Sequence, residues 1–360
     1  MRKIVTIVGA RPQFIKAAPV SRVLRKTYQE ILVNTGQHYD FNMAGVFFDE
    51  LQIPRPDYNL EVGSHSHGKQ TGMMLDKIED VLLREKPDGV LVYGDTNSTL
   101  AGALAASKLH IPLFHIEAGL RSYNKQMPEE INRILTDQVS DLLFAPTETA
   151  VHNLALENIK NSVHMSGDVM YDAVLYNYEL AQSKFDVSKY GLSKYAYYLC
   201  TIHRAENTDH PERLRAIVES LVQLDLPVIV PLHPRTHRIL KEQGLWDFIH
   251  RYPHVHLTEP VSYLEMLILE MESKAIITDS GGVQKEAYFA KVPCYTLRDE
   301  TEWVETVNIG WNQLIDPFTM DLSAIIKQSH LGPYRENLYG DGCASQKIIN
   351  AIQEYFDNKH

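Results

Sequence analysis

From end to end, short apolar, β-branched runs alternate with amphipathic helical patterns, and this alternation constrains the fold more than any other feature of the chain. Four or five apolar residues with no polar alternation read as a strand buried on both faces. Parallel sheets covered by crossover helices are built from such strands, so the sequence predicts an α/β protein. In the first half, strands are expected at 4–8, 31–34, 89–93, 113–116, 142–145 and 163–165, with helical periodicity over 13–25, 67–84, 98–108, 129–139 and 147–156. The second half starts again with a Tyr-rich helix and connector. It then repeats the pattern, with strands at 197–201, 228–231, 255–257, 275–278 and 293–296.

At 360 residues the chain exceeds the ~250 to 300 at which one hydrophobic core stops growing, so two domains are expected. The boundary is placed at Gly167-Asp168, giving Rossmann-like domains over 1–170 and 171–343. Two such domains facing a central cleft would bind ligand at the carboxyl ends of their strands. Thirty-five Lys and Arg stand against 46 Asp and Glu, a net charge of −11. That balance argues against nucleic acid and membrane surfaces as partners, although a local Arg and His cluster could still hold a small anion. Cys200, Cys294 and Cys343 are odd in number and widely spaced, which fits a reducing cytoplasm and no disulfide framework. The apolar run at 4–8 is too short for a signal peptide, and no run reaches membrane-spanning length.

The unusual residue clusters fall just after predicted strands. Gly9-Ala10-Arg11-Pro12 follows the first, with Lys16 one turn into the next helix. A tight glycine turn with Arg at a helix start can bind an anion, though it can equally be a plain turn with a surface Arg. In the second half, Asp279-Ser280-Gly281-Gly282 separates a strand from a helix. Two glycines there let backbone approach a diphosphate, and Glu286, one turn on, could reach the hydroxyls of a ribose. A capped helix with a solvated Glu is the plainer alternative. His233-Pro234-Arg235 would add a phosphate donor, and His203 ends the strand at 197–201.

Acidic groups gather in the first domain: Asp95 in Gly94-Asp95-Thr96, Glu117 in 117–121, and Glu129 in Pro128-Glu129-Glu130-Ile131-Asn132-Arg133. Glu129 and Arg133 are four apart and could be only a helix-surface ion pair. Three carboxylates at one sheet edge nevertheless point to function, because each is expensive near an apolar cleft unless paired or used. His65-x-His67 and His254-x-His256 could present two imidazoles on one face if extended, but neither has a third ligand at familiar spacing, so no metal is expected. No G-x-G-x-x-G follows a strand, so a bound NAD has no evident seat and no cofactor is expected.

Taken in order, Gly-Ala-Arg-Pro-Gln-Phe-Ile-Lys at 9–16, Gly-Gln-His at 36–38, Gly-Asp-Thr at 94–96, His-Ile-Glu-Ala-Gly-Leu-Arg at 115–121, Pro-Glu-Glu-Ile-Asn-Arg at 128–133, His-Arg at 203–204 and Asp-Ser-Gly-Gly-Val-Gln-Lys-Glu at 279–286 resemble the non-hydrolysing UDP-N-acetylglucosamine 2-epimerases. The resemblance covers essentially the whole chain. It implies a glycosyltransferase B type fold whose last helix, about 344–356, returns to the first domain, and a homodimer that takes a UDP-sugar. It implies Arg11, His203, His233, Ser280, Gly281, Gly282 and Glu286 around UDP, and Asp95, Glu117, Glu129, Arg133 and His203 around the sugar. Lys16, His38 and Arg298 are added as candidate substrate contacts.

Inverting C2 of such a sugar removes a proton from a carbon not adjacent to any carbonyl, so expulsion of UDP from C1 to give a 2-acetamidoglucal would make the step accessible. Gln37, His38, Lys69 and Gln70 map onto a second, activating UDP-sugar site of some relatives, with Lys69 standing where an Arg is often found. Arg298-Asp299-Glu300-Thr301-Glu302-Trp303-Val304-Glu305 looks closer to the branch acting on UDP-2,3-diacetamido-2,3-dideoxyglucuronic acid. A hydrolysing epimerase and a glycosyltransferase of the same fold are the alternatives.

Overall fold

The structure is a computed structural model and describes residues 1–37, 48–49 and 51–358. It divides into two compact units, Met1–Tyr176 with Glu336–His360, and Asn177–Arg335. The first holds an all-parallel sheet of β1 (Lys3–Val8), β2 (Gln29–Asn34), β3 (Tyr58–Asn59), β4 (Gly89–Tyr93), β5 (Leu113–Ile116), β6 (Leu142–Ala145) and β7 (Val163–Met165), in the order 3-2-1-4-5-6-7. The second holds β8 (Tyr198–Thr201), β9 (Val228–Pro231), β10 (Val255–Thr258), β11 (Ala275–Thr278), β12 (Cys294–Thr296) and β13 (Asn312–Leu314), also parallel, in the order 10-9-8-11-12-13. Both units are therefore Rossmann-like.

Each sheet runs outward from its first strand, then returns to that strand's other side. The reversal falls between β1 and β4 in the first unit and between β8 and β11 in the second. Helices covering opposite faces diverge at such a point, leaving a crevice at the carboxyl ends of the two strands. The central strands are suited to this place: β4, β5, β8 and β11 are largely apolar and buried along their whole length, with His115 inside β5. The edge strands β3 and β13 have no counterpart in the sequence reading. At two and three residues, with Asn and Gln among them, they carry neither an apolar run nor an alternation.

The helices start where local chemistry supplies a start. Pro12, Pro128, Pro211 and Pro234 each stand in a first turn, where a missing N–H costs nothing. The Thr96 hydroxyl caps Asn97–Lys108 by accepting from the Thr99 N–H. The helix Ala344–Asn358 packs within the first unit against Arg11–Leu24. Asp172 holds its start, accepting from the N–H groups of Ala344 at 3.0 Å and Ser345 at 2.8 Å. Phe356, near its end, lies 5.7 Å from Phe114 and 6.1 Å from Tyr28, ring centre to ring centre. Cys200 and Cys294 are buried thiols, the latter pushed up to about 12 chiefly by burial, and Cys343 is exposed. Among the described residues no helix is long and apolar enough to cross a membrane.

Gly9, the first residue after β1, is a position where packing leaves no room for a side chain. A Cβ there would collide with the hydroxyls of Thr35 and Ser98, which are buried and bonded to each other at 2.8 Å. Gly9→Ala is expected to lower stability by about 1–3 kcal/mol, read as a lower urea midpoint at unchanged slope.

Candidate active site

Around the β1/β4 reversal, one amide ties the turns together. Gln13 is 2% exposed; its Oε1 accepts from the N–H of Gly9 at 2.8 Å and of Ala10 at 3.1 Å, and its Nε2 donates to the Tyr93 carbonyl at 2.8 Å. The turn after β1 is thereby fixed to the end of β4. Arg11 opens the following helix on its exposed side, and Lys16, one turn later, reaches the Glu117 carboxylate as an ion pair. Glu117 ends β5 at φ +70°, a left-handed backbone that turns its side chain over the neighbouring strand end. A Cβ built on Gly94 would lie 3.2 Å from Glu117 Oε2.

Asp95 follows Gly94, itself at φ +63°, and is clasped by Arg133, whose Nη2 and Nε donate to Oδ2 at 2.7 and 3.1 Å. The carbonyl of Asp95 accepts from Asn132 Nδ2 at 3.0 Å. Asp95, Glu117, Lys16 and Arg133 thus stand together at the ends of β4 and β5. The other arm of Arg133 donates to Glu130 at 2.7 Å, so the helix-surface pair considered between Glu129 and Arg133 is replaced by one with Glu130. The helix phase decides this, because Glu130 is 1% exposed while Glu129 faces solvent. Burial pushes the Glu130 carboxyl up, but the N–H groups of Ser122 and Tyr123 and the Arg133 guanidinium outweigh it, so its net shift is downward and it stays an anion. Burial likewise opposes charge on Arg133, yet Asp95 and Glu130 hold it above its ordinary value.

In the second unit a carboxylate performs the same bridging. Asp279, fully buried after β11, accepts from the N–H of His203 at 3.0 Å and of Arg204 at 3.0 Å, and from Asn207 Nδ2 at 3.0 Å. His203 Nδ1 lies 3.1 Å from its Oδ1, leaving Nε2 as the ring nitrogen for a ligand; the imidazole is 44% exposed. Burial raises the Asp279 carboxyl, and the bonds from His203 and Asn207 with the neighbouring amides more than reverse this. Ser280 caps the helix Gly281–Phe289 by position, with no side-chain hydrogen bond to it. A Cβ on Gly281 would collide with the Glu302 carboxylate, whereas at Gly282 the nearest atom is Ser280 Oγ at 4.0 Å. The helix start is therefore tight on one side and open on the other.

Glu286 lies one turn deeper, 6% exposed, and accepts from the Tyr263 hydroxyl at 3.2 Å. Behind it Glu270, 1% exposed, has its carboxyl pushed well up by burial and then by the charge on Glu286. Arg298 is buried against Glu302, Nη1 to Oε2 2.9 Å, with Glu206 at 3.6 Å. His233 caps the helix Pro234–Glu242, its Nδ1 accepting from the Arg235 N–H at 3.3 Å, and is exposed.

His38 lies outside the described residues. Gln37 accepts from the Ser98 hydroxyl at 2.6 Å, Gln70 is bonded to Gly63 and Asn97, and Lys69 is exposed. His67 opens the helix His67–Glu85 instead of extending a strand, and no group of three potential metal ligands occurs among the described residues. Gln13, Glu130 and Asp279, which organise these loops, escaped the sequence reading although each lies in a quoted motif. Their role is contact with backbone amides, which composition does not reveal.

Residues 22–353 match the family model described as UDP-N-acetylglucosamine 2-epimerase. A UDP-N-acetylglucosamine 2-epimerase homolog of Methanococcus maripaludis is 54% identical over 98% of this chain and 99% of its own. The UDP-2,3-diacetamido-2,3-dideoxy-D-glucuronate 2-epimerase of Pseudomonas aeruginosa is 51% identical over 97% and 99%. The crystal structure of Methanocaldococcus jannaschii UDP-GlcNAc 2-epimerase in complex with UDP-GlcNAc and UDP superposes with a TM-score of 0.84, at 45% identity over 98% of this chain and 99% of that one. Strand order, the paired carboxylates and these similarities agree: the chain belongs to the UDP-N-acetylglucosamine 2-epimerase family.

Proposed function

We propose that this isomerase inverts C2 of a UDP-linked 2-acetamido sugar by eliminating UDP to a 2-acetamidoglucal and adding it back with protonation from the opposite face. The observation that carries the mechanism is the pair of carboxylates at neighbouring strand ends, each held by a cation: Asp95 by Arg133 and Glu117 by Lys16. Two oppositely placed acid/base groups are what loss and return of a C2 proton need, and a partnered carboxylate keeps its geometry as the charge on the sugar changes. Glu129, exposed in the first turn of the helix Pro128–Val139, is the third acid assigned to proton transfer and sugar positioning.

The leaving diphosphate is assigned to the second unit. The helix start at Ser280, Gly281 and Gly282 offers amides, His203 offers Nε2, and His233 adds a donor. Glu286 takes the ribose hydroxyls, its carboxylate oriented by Tyr263. Arg298 shapes the same end of the sheet through Glu302, whose carboxylate closes one side of the helix start. No step calls on a metal or a redox cofactor.

The P. aeruginosa relative at 51% identity supports the 2,3-diacetamido uronate as substrate, and the M. jannaschii structure bound to UDP-GlcNAc supports the simpler sugar. Turnover in deuterated water with each UDP-sugar separates them. Deuterium at C2 without net UDP release is expected, and the better substrate is the one labelled faster. Net UDP release would instead indicate hydrolysis or transfer. Asp95→Asn should lower C2 exchange by about 100-fold or more, in the range of a lost general acid or base. Near-normal labelling would remove Asp95 from proton transfer.

A homodimer is proposed as the assembly. The helix Pro128–Val139 buries polar Glu130, Asn132, Thr136 and Asp137, while Met127, Ile131 and Leu135, four apart, are 36%, 44% and 43% exposed. A helix that turns its apolar stripe outward is suited to a second copy covering it. Ile131→Arg is expected to shift the sedimentation coefficient to that of a monomer; an unchanged value places the contact elsewhere.

A further inference from the structure

Directly behind the Asp95 turn stands an imidazole that the mechanism does not use. His115 occupies the middle of β5 and is fully buried. Its Nε2 is 2.8 Å from the Gly94 carbonyl and its Nδ1 is 2.7 Å from Asp137 Oδ1. Asp137 Oδ2 in turn accepts from the Gly119 N–H at 3.1 Å and from Arg121 at 2.8 Å, and Arg121 is bidentate to Glu157 at 2.7 Å for each bond. A carbonyl can only accept, so the Nε2 of His115 carries a proton and donates it to Gly94, while Nδ1 contacts the Asp137 carboxylate.

The Gly94 carbonyl belongs to the peptide plane whose nitrogen is that of Asp95. Fixing this oxygen fixes the plane from which the Asp95 side chain departs, and the plane after Asp95 is fixed in the same way by Asn132. We propose that His115 is a positioning residue of the epimerisation: its Nε2–H to Gly94 aims Asp95, while the contact of its Nδ1 with Asp137 anchors the ring. This rests on the epimerase reading, in which Asp95 handles the C2 proton. Glycine at φ +63° has the freest backbone of any residue type, so this turn needs an external lock.

The two arms of the ring can be removed separately in the full chain. His115→Asn keeps an amide near the Nδ1 position, towards Asp137, and loses the reach to Gly94. His115→Gln keeps a donor near Nε2 and loses the other arm. Parent and variants are compared by C2 deuterium incorporation, KM, UDP affinity and thermal melting. His115→Asn is expected to lower kcat for exchange by about 100-fold with KM and UDP affinity within about threefold, as for a misplaced reacting group. His115→Gln should recover exchange to within about tenfold of the parent. Equal kcat losses in the two, or a loss of UDP affinity that follows kcat, would overturn the proposal. Should His115→Asn fail to fold, Asp137→Asn gives the complementary reading, since it spares the Gly94 bond. It should melt earlier yet keep kcat within about tenfold, and a loss near 100-fold would count against His115 acting through Gly94. A parent that incorporates no deuterium overturns the epimerase reading and this inference with it. A parent that exchanges while the variants fail to separate overturns only the inference.

Discussion

A parallel sheet covered on both faces has nowhere to display chemistry except at its strand ends, and the rest of this structure follows from that restriction. The central strands are mostly apolar and wholly buried, so the candidate acids of the site lie in the turns that leave them. Those turns must be held by something other than a hydrophobic core. In the first unit the holder is the Gln13 amide, spanning from Gly9 and Ala10 to Tyr93. In the second it is the Asp279 carboxylate, spanning from β11 to the loop after β8. Each sits at the point where strand order reverses, and each uses side-chain hydrogen bonds to do what a ladder does inside the sheet.

Both units pair carboxylates with cations, and in the second burial also drives one acid towards its neutral form. In the first, acids and bases alternate: Lys16 with Glu117, Arg133 between Asp95 and Glu130, Arg121 between Asp137 and Glu157. At Glu130 the Ser122 and Tyr123 amides and the Arg133 guanidinium hold the carboxyl below its ordinary value against burial. In the second, Lys194 pairs with buried Glu272 and Arg298 with Glu302, while Glu270 is driven towards its neutral form, first by burial and then by the charge on Glu286.

The layered α/β architecture could be read directly from the sequence, because unbroken runs such as Gly89–Tyr93 and Ala275–Thr278 have one economical fate. β3 and β13 could not, since their pairing is conferred by neighbours and not by their own residues. The motifs do lie in the turns that leave the strands, but they do not show which atom of each bears the mechanical burden. Glu129 and Glu130 are chemically identical neighbours, and only the rotation of their helix makes one a solvent-facing acid and the other a buried brace. His115 and Asp137 are 22 residues apart, a pairing that only the packing of helix on strand creates.

The division of the chain also bears on how it is made. Residues 336–360 belong to the first unit, yet they are synthesised after all of 177–335. Until the segment Ala344–Asn358 leaves the ribosome, Phe114, Tyr28 and the outer side of Arg11–Leu24 lack the cover that Phe356 and its neighbours provide. The unit encoded first is therefore the last that can close, and a nascent chain carries a greasy, half-finished lobe through most of translation, which is where a holding chaperone would act.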